Sequence, residues 1–186
     1  MIVTDPGSVE FLFAPEDDVI GAALGVVTGD QEEVCVGAYA YTLAALVDAM
    51  IANHQRGLAQ FVLADLSQSR GPAGHAALVR IINAGIDTAI GTAPSGNILH
   101  SKYVLGKSQR KVFSGSYNFS QSAAVQDNAS QVFTSQQVWA AFRAHFDTAR
   151  SWVLANEPQD QIKAAVAAGT VDSLKLSVPL RFDAEQ

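Results

Sequence analysis

The sequence predicts an α/β domain in which a mixed β-sheet is flanked by helices. Strand-like and helix-like segments alternate along the chain, as is typical of layered α/β domains. Of the 186 residues, 48% are hydrophobic, which is enough for one compact core. Only 16% are charged, which argues against long disordered or coiled-coil tracts.

The first part of the chain predicts a strand, a helix, a strand and a helix, over residues 9–14, 15–27, 33–41 and 42–53. Pro15 and the three carboxylates at 16–18 suit the first turn of a helix, where acids favour the positive end of its dipole. The apolar run VCVGAYAY is typical of a buried strand, and we expect the one cysteine, Cys35, to be buried within it. Thr42 is the predicted N-cap of the second helix.

The middle of the chain predicts a strand over 60–66, a polar loop over 68–74, a helix over 75–84 and a short strand over 87–90. Gly85 directly follows the apolar helical pattern, and glycine is the residue that most often ends a helix. These segments continue the strand–helix alternation.

The rest of the chain predicts two strands joined by a tight turn, then a short helix, a strand and a long helix, over residues 99–106, 111–114, 119–124, 130–134 and 136–156. Apolar residues recur on one face of the long helix, namely Val138, Phe142, Phe146 and Trp152. A polar break follows at 157–160, then a short helix. The alternating stretch 174–182 is typical of a strand.

Charge and composition exclude several classes of protein. The net charge is −6, so the molecule as a whole does not attract polyanions, yet Lys102, Lys107, Arg110 and Lys111 fall within ten residues. One cysteine excludes a disulfide framework and a cysteine-based zinc site. No apolar run approaches the roughly 20 residues that cross a bilayer, and the N-terminus does not resemble a signal peptide. We therefore expect a cytoplasmic protein that does not associate with membranes.

The stretch LHSKYVLGKSQRKVFSGSYNFS, which begins at Leu99, carries the candidate chemistry. On a strand, residues two apart share a face, so His100 and Lys102 are predicted to project together. An ammonium neutralises phosphoryl oxygens, and an imidazole can attack phosphorus or move a proton. Ser116 and Asn118 would add neutral hydrogen-bonding partners, and Gly115 would let the backbone approach a substrate closely.

These motifs resemble the phospholipase D superfamily, whose signature is H-x-K, four residues, Asp, six residues and G-S-x-N. Here HSK occupies 100–102 and GSYN occupies 115–118. FLFAP, AYAYT and RGLAQFVLAD also resemble segments of that family. The resemblance spans residues 9–152. It implies a phospholipase D-like domain over 1–156, with 157–186 as a C-terminal extension packed on the same domain.

The single H-x-K motif resembles that of the small bacterial endonucleases of this superfamily, which are homodimers with one composite site. The resemblance implies a metal-independent and cofactor-free phosphodiesterase that acts on nucleic acid. His100 would be the nucleophile, and Lys102, Ser116 and Asn118 would complete the catalytic set. Lys107, Arg110, Lys111 and Gly115 would bind the substrate.

Two departures from the family pattern bear on activity. Lys107 stands where the motif has its aspartate, and one extra residue separates it from Gly115. The glutamate that orients the histidine in active single-motif members is absent. Asp127, Asn128 and Gln131 are the candidates to replace it.

Two other functions therefore remain open. One is a catalytically weakened module of the same fold that serves binding or dimerisation. The other is a lipid phosphodiesterase or phosphatidyltransferase, although no segment of the sequence is typical of a basic amphipathic membrane helix.

Overall fold

A computed structural model describes residue 4 and residues 7–174, in which seven strands form one mixed sheet. The order across the sheet is β1-β7-β6-β5-β2-β3-β4. The strands are β1 (Ser8–Ala14), β2 (Glu33–Ala38), β3 (Ala59–Asp65), β4 (Asp87–Gly91), β5 (Lys102–Gly106), β6 (Lys111–Gly115) and β7 (Asn128–Thr134).

Helices cover both faces of the sheet, as the sequence predicts. The helices are α1 (Val19–Gly29), α2 (Ala44–Gln55), α3 (Pro72–Asn83), α4 (Gln136–Asn156) and α5 (Gln159–Ala168). One core cluster joins α1, α2, α3 and α5 to one face of the sheet, and a second joins α4 to the other face. Strand β2 supplies both clusters, because Val34 and Val36 point to the first face and Cys35 to the second.

The sheet is parallel on one side and antiparallel on the other. β2, β3 and β4 are parallel and are connected through α2 and α3, whereas β5, β6, β7 and β1 run antiparallel to their neighbours. Each of the seven strands therefore has one terminus at the same end of the sheet. We call this the site end, and it is defined by Ala38, Asp65, Lys102, Gly115 and Asn128.

Three predicted helix starts are wrong. Helix α3 begins at Pro72 rather than at His75, because proline suits the first helical turn and the amide of His75 already donates to the carbonyl of Gly71 over 2.9 Å. At α1 and α2, other residues satisfy the first turns. Helix α1 begins at Val19 rather than at Pro15, since the side chain of Asp18 caps it by accepting from the amide of Gly21 over 2.8 Å. Helix α2 begins at Ala44, since the amide of Thr42 donates instead to the carbonyl of Phe119 over 2.8 Å.

Strand β2 ends at Ala38 rather than at Tyr41, and other boundaries hold more closely. Helix α4 has the predicted bounds, and β6 and β7 are each longer than predicted by one or two residues. The predicted helix over 119–124 is a short 3-10 helix, Gln121–Val125. The strand predicted over 174–182 lies outside the described residues beyond Leu174.

Cys35 is buried as expected, with 1% of its surface exposed. Burial raises the pKa of its thiol to about 12. Among the described residues, no helix combines the length and apolar character that a membrane span requires.

Candidate active site

His100 and Lys102 lie at the site end, but not on one strand as predicted. β5 begins only at Lys102, so His100 belongs to the segment that precedes it. His100 is exposed, whereas Lys102 is 6% exposed and its ammonium donates to the backbone carbonyl of His100 over 2.8 Å. The two residues are therefore adjacent through a hydrogen bond rather than through strand alternation.

The ring of Tyr39, just after β2, contacts both residues. Its centroid lies 4.6 Å from that of the His100 imidazole, with the planes tilted by 60°. The ammonium of Lys102 lies over the same tyrosine ring, 5.1 Å from its centroid. The phenol of Tyr39 accepts a hydrogen bond from the side-chain amide of Gln68 over 2.9 Å. Tyr39 belongs to the segment AYAYT, but no pattern in the sequence distinguishes it as a site residue.

Asp65 anchors the segment that carries His100. It is the last residue of β3 and is 1% exposed. One of its oxygens accepts from the amide of Leu99 over 2.7 Å. The other accepts from the amides of Ser67 and Gln68 over 2.8 and 3.2 Å. A charged acceptor at the end of a buried strand was visible in the sequence, but its bond to Leu99 was not, because it joins residues 34 positions apart.

Ser116 and Asn128 form a second pair at the site end. The exposed Ser116 donates its hydroxyl to Oδ1 of the buried Asn128 over 3.0 Å. The amide of Ala129 donates to the Ser116 hydroxyl over 3.1 Å. Of the three candidates to replace the missing glutamate, Asn128 is thus the one held against the motif. Asp127 is exposed and Gln131 is partly buried.

Gly115 and Asn118 flank this pair. A Cβ at Gly115 would lie 2.4 Å from the carbonyl oxygen of Ala129, so the close packing of β6 on β7 accounts for this glycine. Asn118 is partly buried, and its Oδ1 is buried without a hydrogen-bond partner among the described residues. Asn118 therefore retains an acceptor that the fold itself does not use.

The structure does not bring Lys107, Arg110 and Lys111 to the site end. They surround the β5–β6 turn at the opposite end of the strands, about 13 Å away by strand geometry. Lys107 pairs with Glu32 over 3.1 Å, and the guanidinium of Arg110 lies 4.8 Å from the centroid of the Trp139 ring. These three residues can reach only a substrate that extends well beyond His100.

The site end carries two buried ionisable side chains, the ammonium of Lys102 and the carboxylate of Asp65. Desolvation lowers the pKa of Lys102 from its ordinary value of 10.5. An ammonium has three donors, and one is used on the carbonyl of His100, which leaves two for an anion. An exposed imidazole beside such a group suits attack on a phosphoryl centre. Among the described residues, no three His, Cys, Asp or Glu side chains are grouped so as to hold a metal ion.

Comparison with known proteins identifies a family. Residues 29–150 match the family model described as cardiolipin synthase, PLD-like domain. This range includes Tyr39, Asp65, His100, Ser116 and Asn128. No curated protein matches the sequence significantly.

Solved structures share the fold at low sequence identity. Nuc, a phospholipase D family member from Salmonella typhimurium, matches with a TM-score of 0.70 and 23% identity, over 76% of this chain and 93% of Nuc. NucT from Helicobacter pylori matches with a TM-score of 0.67 and 13% identity, over 76% and 94% of the two chains. TrmBL2, an archaeal chromatin protein whose structure shows a mode of DNA binding, matches with a TM-score of 0.55 and 12% identity, over 78% and 52%. These likenesses establish the fold.

Proposed function

This chain belongs to the cardiolipin synthase, PLD-like domain family and so to the phospholipase D superfamily, and on that premise we propose that it is a phosphodiesterase that cleaves nucleic acid. The observation that carries the proposal is the exposed imidazole of His100, whose backbone carbonyl binds the buried ammonium of Lys102. The two residues are those that the H-x-K motif pairs, and two donors of the buried ammonium remain for a phosphate.

The proposed first step forms a covalent phosphohistidine. A ring nitrogen of His100 attacks phosphorus, the N–P bond forms, and the bond from phosphorus to the leaving oxygen breaks. The two remaining donors of Lys102 stabilise the charge on the phosphoryl oxygens, together with the side-chain NH2 of Asn118. Ser116 joins them when its hydroxyl turns from Asn128 to the substrate. The leaving oxygen needs a proton, and a second histidine is the natural source.

We place that second histidine in another copy of the chain. His100 is the one histidine followed two residues later by lysine, so one subunit supplies half of the catalytic pair. A two-fold homodimer brings the same surface of each subunit against the other. The partner's His100 would protonate the leaving oxygen and then take a proton from a water. That water attacks phosphorus, breaks the N–P bond and restores both histidines.

Two observations favour nucleic acid as the substrate. Lys107, Arg110 and Lys111 surround one turn, and a polynucleotide is long enough to contact both this turn and His100. The similar fold of TrmBL2 belongs to a protein whose structure shows DNA binding. A lipid headgroup would reach only the site end.

Cleavage of plasmid and single-stranded DNA in EDTA tests this function, with His100→Ala as the paired variant. We expect cleavage that persists in EDTA and disappears in His100→Ala. Turnover of phospholipid alone would instead identify a lipid phosphodiesterase. Absence of cleavage of DNA, RNA and a chromogenic phosphodiester would identify a module for binding or dimerisation.

The composite site is tested by mixing subunits. Wild-type and His100→Ala chains are unfolded together in equal amounts and refolded. Independent sites would retain half of the wild-type activity, whereas sites that need two histidines would retain about a quarter. Retention of half the activity would exclude the shared site but leave the phosphodiesterase in place.

A further inference from the structure

A hydrogen bond usually orients a catalytic histidine, and the His100 imidazole has none to the part of the chain that the structure describes. Among the described residues, neither ring nitrogen of His100 bonds to a side chain or to the backbone, and the residue lies in an exposed segment before β5. A carboxylate that accepts from one ring nitrogen commonly fixes the tautomer and the ring plane. Here the ring of Tyr39, with its centroid 4.6 Å from that of the imidazole, contacts His100.

We propose that Tyr39 is the positioning residue of this site, and that its ring fixes the orientation of His100 in place of a carboxylate. The tilted arrangement lies within the range of favourable aromatic contacts, and the same ring faces the ammonium of Lys102 at 5.1 Å. One ring thus sets the nucleophile and the cation relative to each other. The catalytic consequence rests on the proposed function, but the positioning itself does not.

Tyr39 can act in this way because it is itself fixed at both ends. Its amide donates to the carbonyl of Ser101 over 2.8 Å, and its phenol accepts from Gln68 over 2.9 Å. The backbone amide of Gln68 in turn donates to Asp65, which also accepts from the backbone amide of Leu99. Both neighbours of His100 are therefore held by this set of hydrogen bonds: Leu99 donates to Asp65, and Ser101 accepts from Tyr39.

Nuclear magnetic resonance of the histidine rings tests the positioning without any reference to activity. The resonances of His100 are assigned by their loss in His100→Gln. An aromatic ring close to an imidazole displaces the imidazole signals, so we expect displaced signals in the wild type and in Tyr39→Phe. In Tyr39→Leu the His100 signals should move towards those of an exposed histidine.

The other histidines serve as the control for folding. His145 lies 6.1 Å from the ring of Tyr103, and its signals should be the same in all three proteins. His100 signals that stay in place in Tyr39→Leu, while those of His145 are also unchanged, would overturn the proposal. This result would leave the phosphodiesterase proposal intact.

Steady-state kinetics then separates positioning from substrate binding. For Tyr39→Leu we expect kcat to fall about 10- to 100-fold with KM nearly unchanged, because a misplaced nucleophile slows the chemical step. Tyr39→Phe keeps the ring and should stay within about threefold of the wild type. A rise in KM at constant kcat would show instead that Tyr39 binds substrate. If no phosphodiester is cleaved, the resonance experiment alone decides for or against the positioning.

Discussion

The hydroxyl of Ser116 donates a hydrogen bond to Oδ1 of Asn128 over 3.0 Å, which joins the G-S-x-N motif to the first residue of β7. The amide of the same Asn128 donates to the carbonyl of Ala123 over 3.2 Å and to that of Gln126 over 3.3 Å. Asn128 therefore needs both an acceptor and a donor. An ionised glutamate, the residue of the family pattern, can only accept hydrogen bonds, so it could not make the two bonds that Asn128 donates.

Asn128→Asp should destabilise the protein by about 1–3 kcal/mol at pH 8, because a buried carboxylate would face two carbonyl oxygens. A protonated carboxyl can still donate one hydrogen bond, so the loss should shrink as the pH falls. Urea unfolding of the variant and the wild type at pH 5 and pH 8 measures this dependence. An equal loss at both values would show that the donor role of Asn128 is unimportant.

Lys102→Met should abolish phosphodiester cleavage yet change the free energy of unfolding by less than about 1 kcal/mol. Methionine fills a similar volume and removes the cost of burying a charge. The carbonyl of His100, in an exposed segment, can turn to water. Chemical denaturation beside a cleavage assay measures both quantities, and a large loss of stability would assign Lys102 to the fold rather than to the site.

The activity of the wild type should decline at a lower alkaline pH than it would if Lys102 were fully exposed. Burial lowers the pKa of Lys102 below 10.5, so its ammonium is lost at a lower pH, and the proposed mechanism needs the protonated form. A pH–rate profile of Lys102→Arg, which keeps its charge, should lack this decline even if its maximum is lower. The same alkaline decline in both proteins would assign it to another group.

Neutralising the turn between β5 and β6 should weaken binding of nucleic acid and leave the chemistry unchanged. For Lys107→Gln combined with Lys111→Gln we expect weaker affinity and a shallower salt dependence, by about one unit of slope for each phosphate that the protein no longer neutralises. We expect kcat within about twofold of the wild type, because the turn lies away from His100. Lys163→Gln on α5 combined with Arg80→Gln on α3 removes two positive charges elsewhere and is the matched control. An affinity and a slope equal to those of this control would exclude the turn from binding.

Gly115→Ala should destabilise the protein by about 1–3 kcal/mol, because the new methyl group would meet the backbone of β7. Gly25, inside α1, is the matched control, since nothing lies within 4 Å of an added Cβ. Gly25→Ala should stabilise the protein by about 0.5–1 kcal/mol through helix propensity. Thermal unfolding of both variants measures the difference, and equal shifts would contradict the close packing of β6 on β7.

Local patterns in the sequence predicted most of the architecture. The alternation of apolar segments located the strands, and the spacing of Val138 and Phe146 located α4 with its bounds. The starts of the helices were harder to predict from the sequence. Asp18 and Thr42 can each form either a helix cap or a tertiary hydrogen bond, and the packing of the fold determines which of the two forms.

The candidate site divides in the same way. The H-x-K and G-S-x-N motifs pointed to His100, Lys102 and Ser116, which the fold brings to one end of the sheet. The placement of Lys107 away from that end follows from the two predicted strands and their tight turn, which put the turn at the end of the hairpin opposite His100. Tyr39 and Gln68 were not predictable as site residues. Tyr39 follows β2, Gln68 follows β3 and His100 precedes β5, so their contacts join segments that are far apart in the sequence.

The position of the β5–β6 turn has a consequence for protein engineering. New chain termini or an inserted domain introduced at this turn would lie at the far end of the strands, so Asp65, Tyr39 and His100 would keep their mutual contacts. By contrast, an excised segment 99–118, which contains the β5–β6 hairpin and both signature motifs, would lack the tyrosine and the carboxylate that contact it. Transplanting the motifs into another scaffold therefore requires the parallel strands β2 and β3 as well.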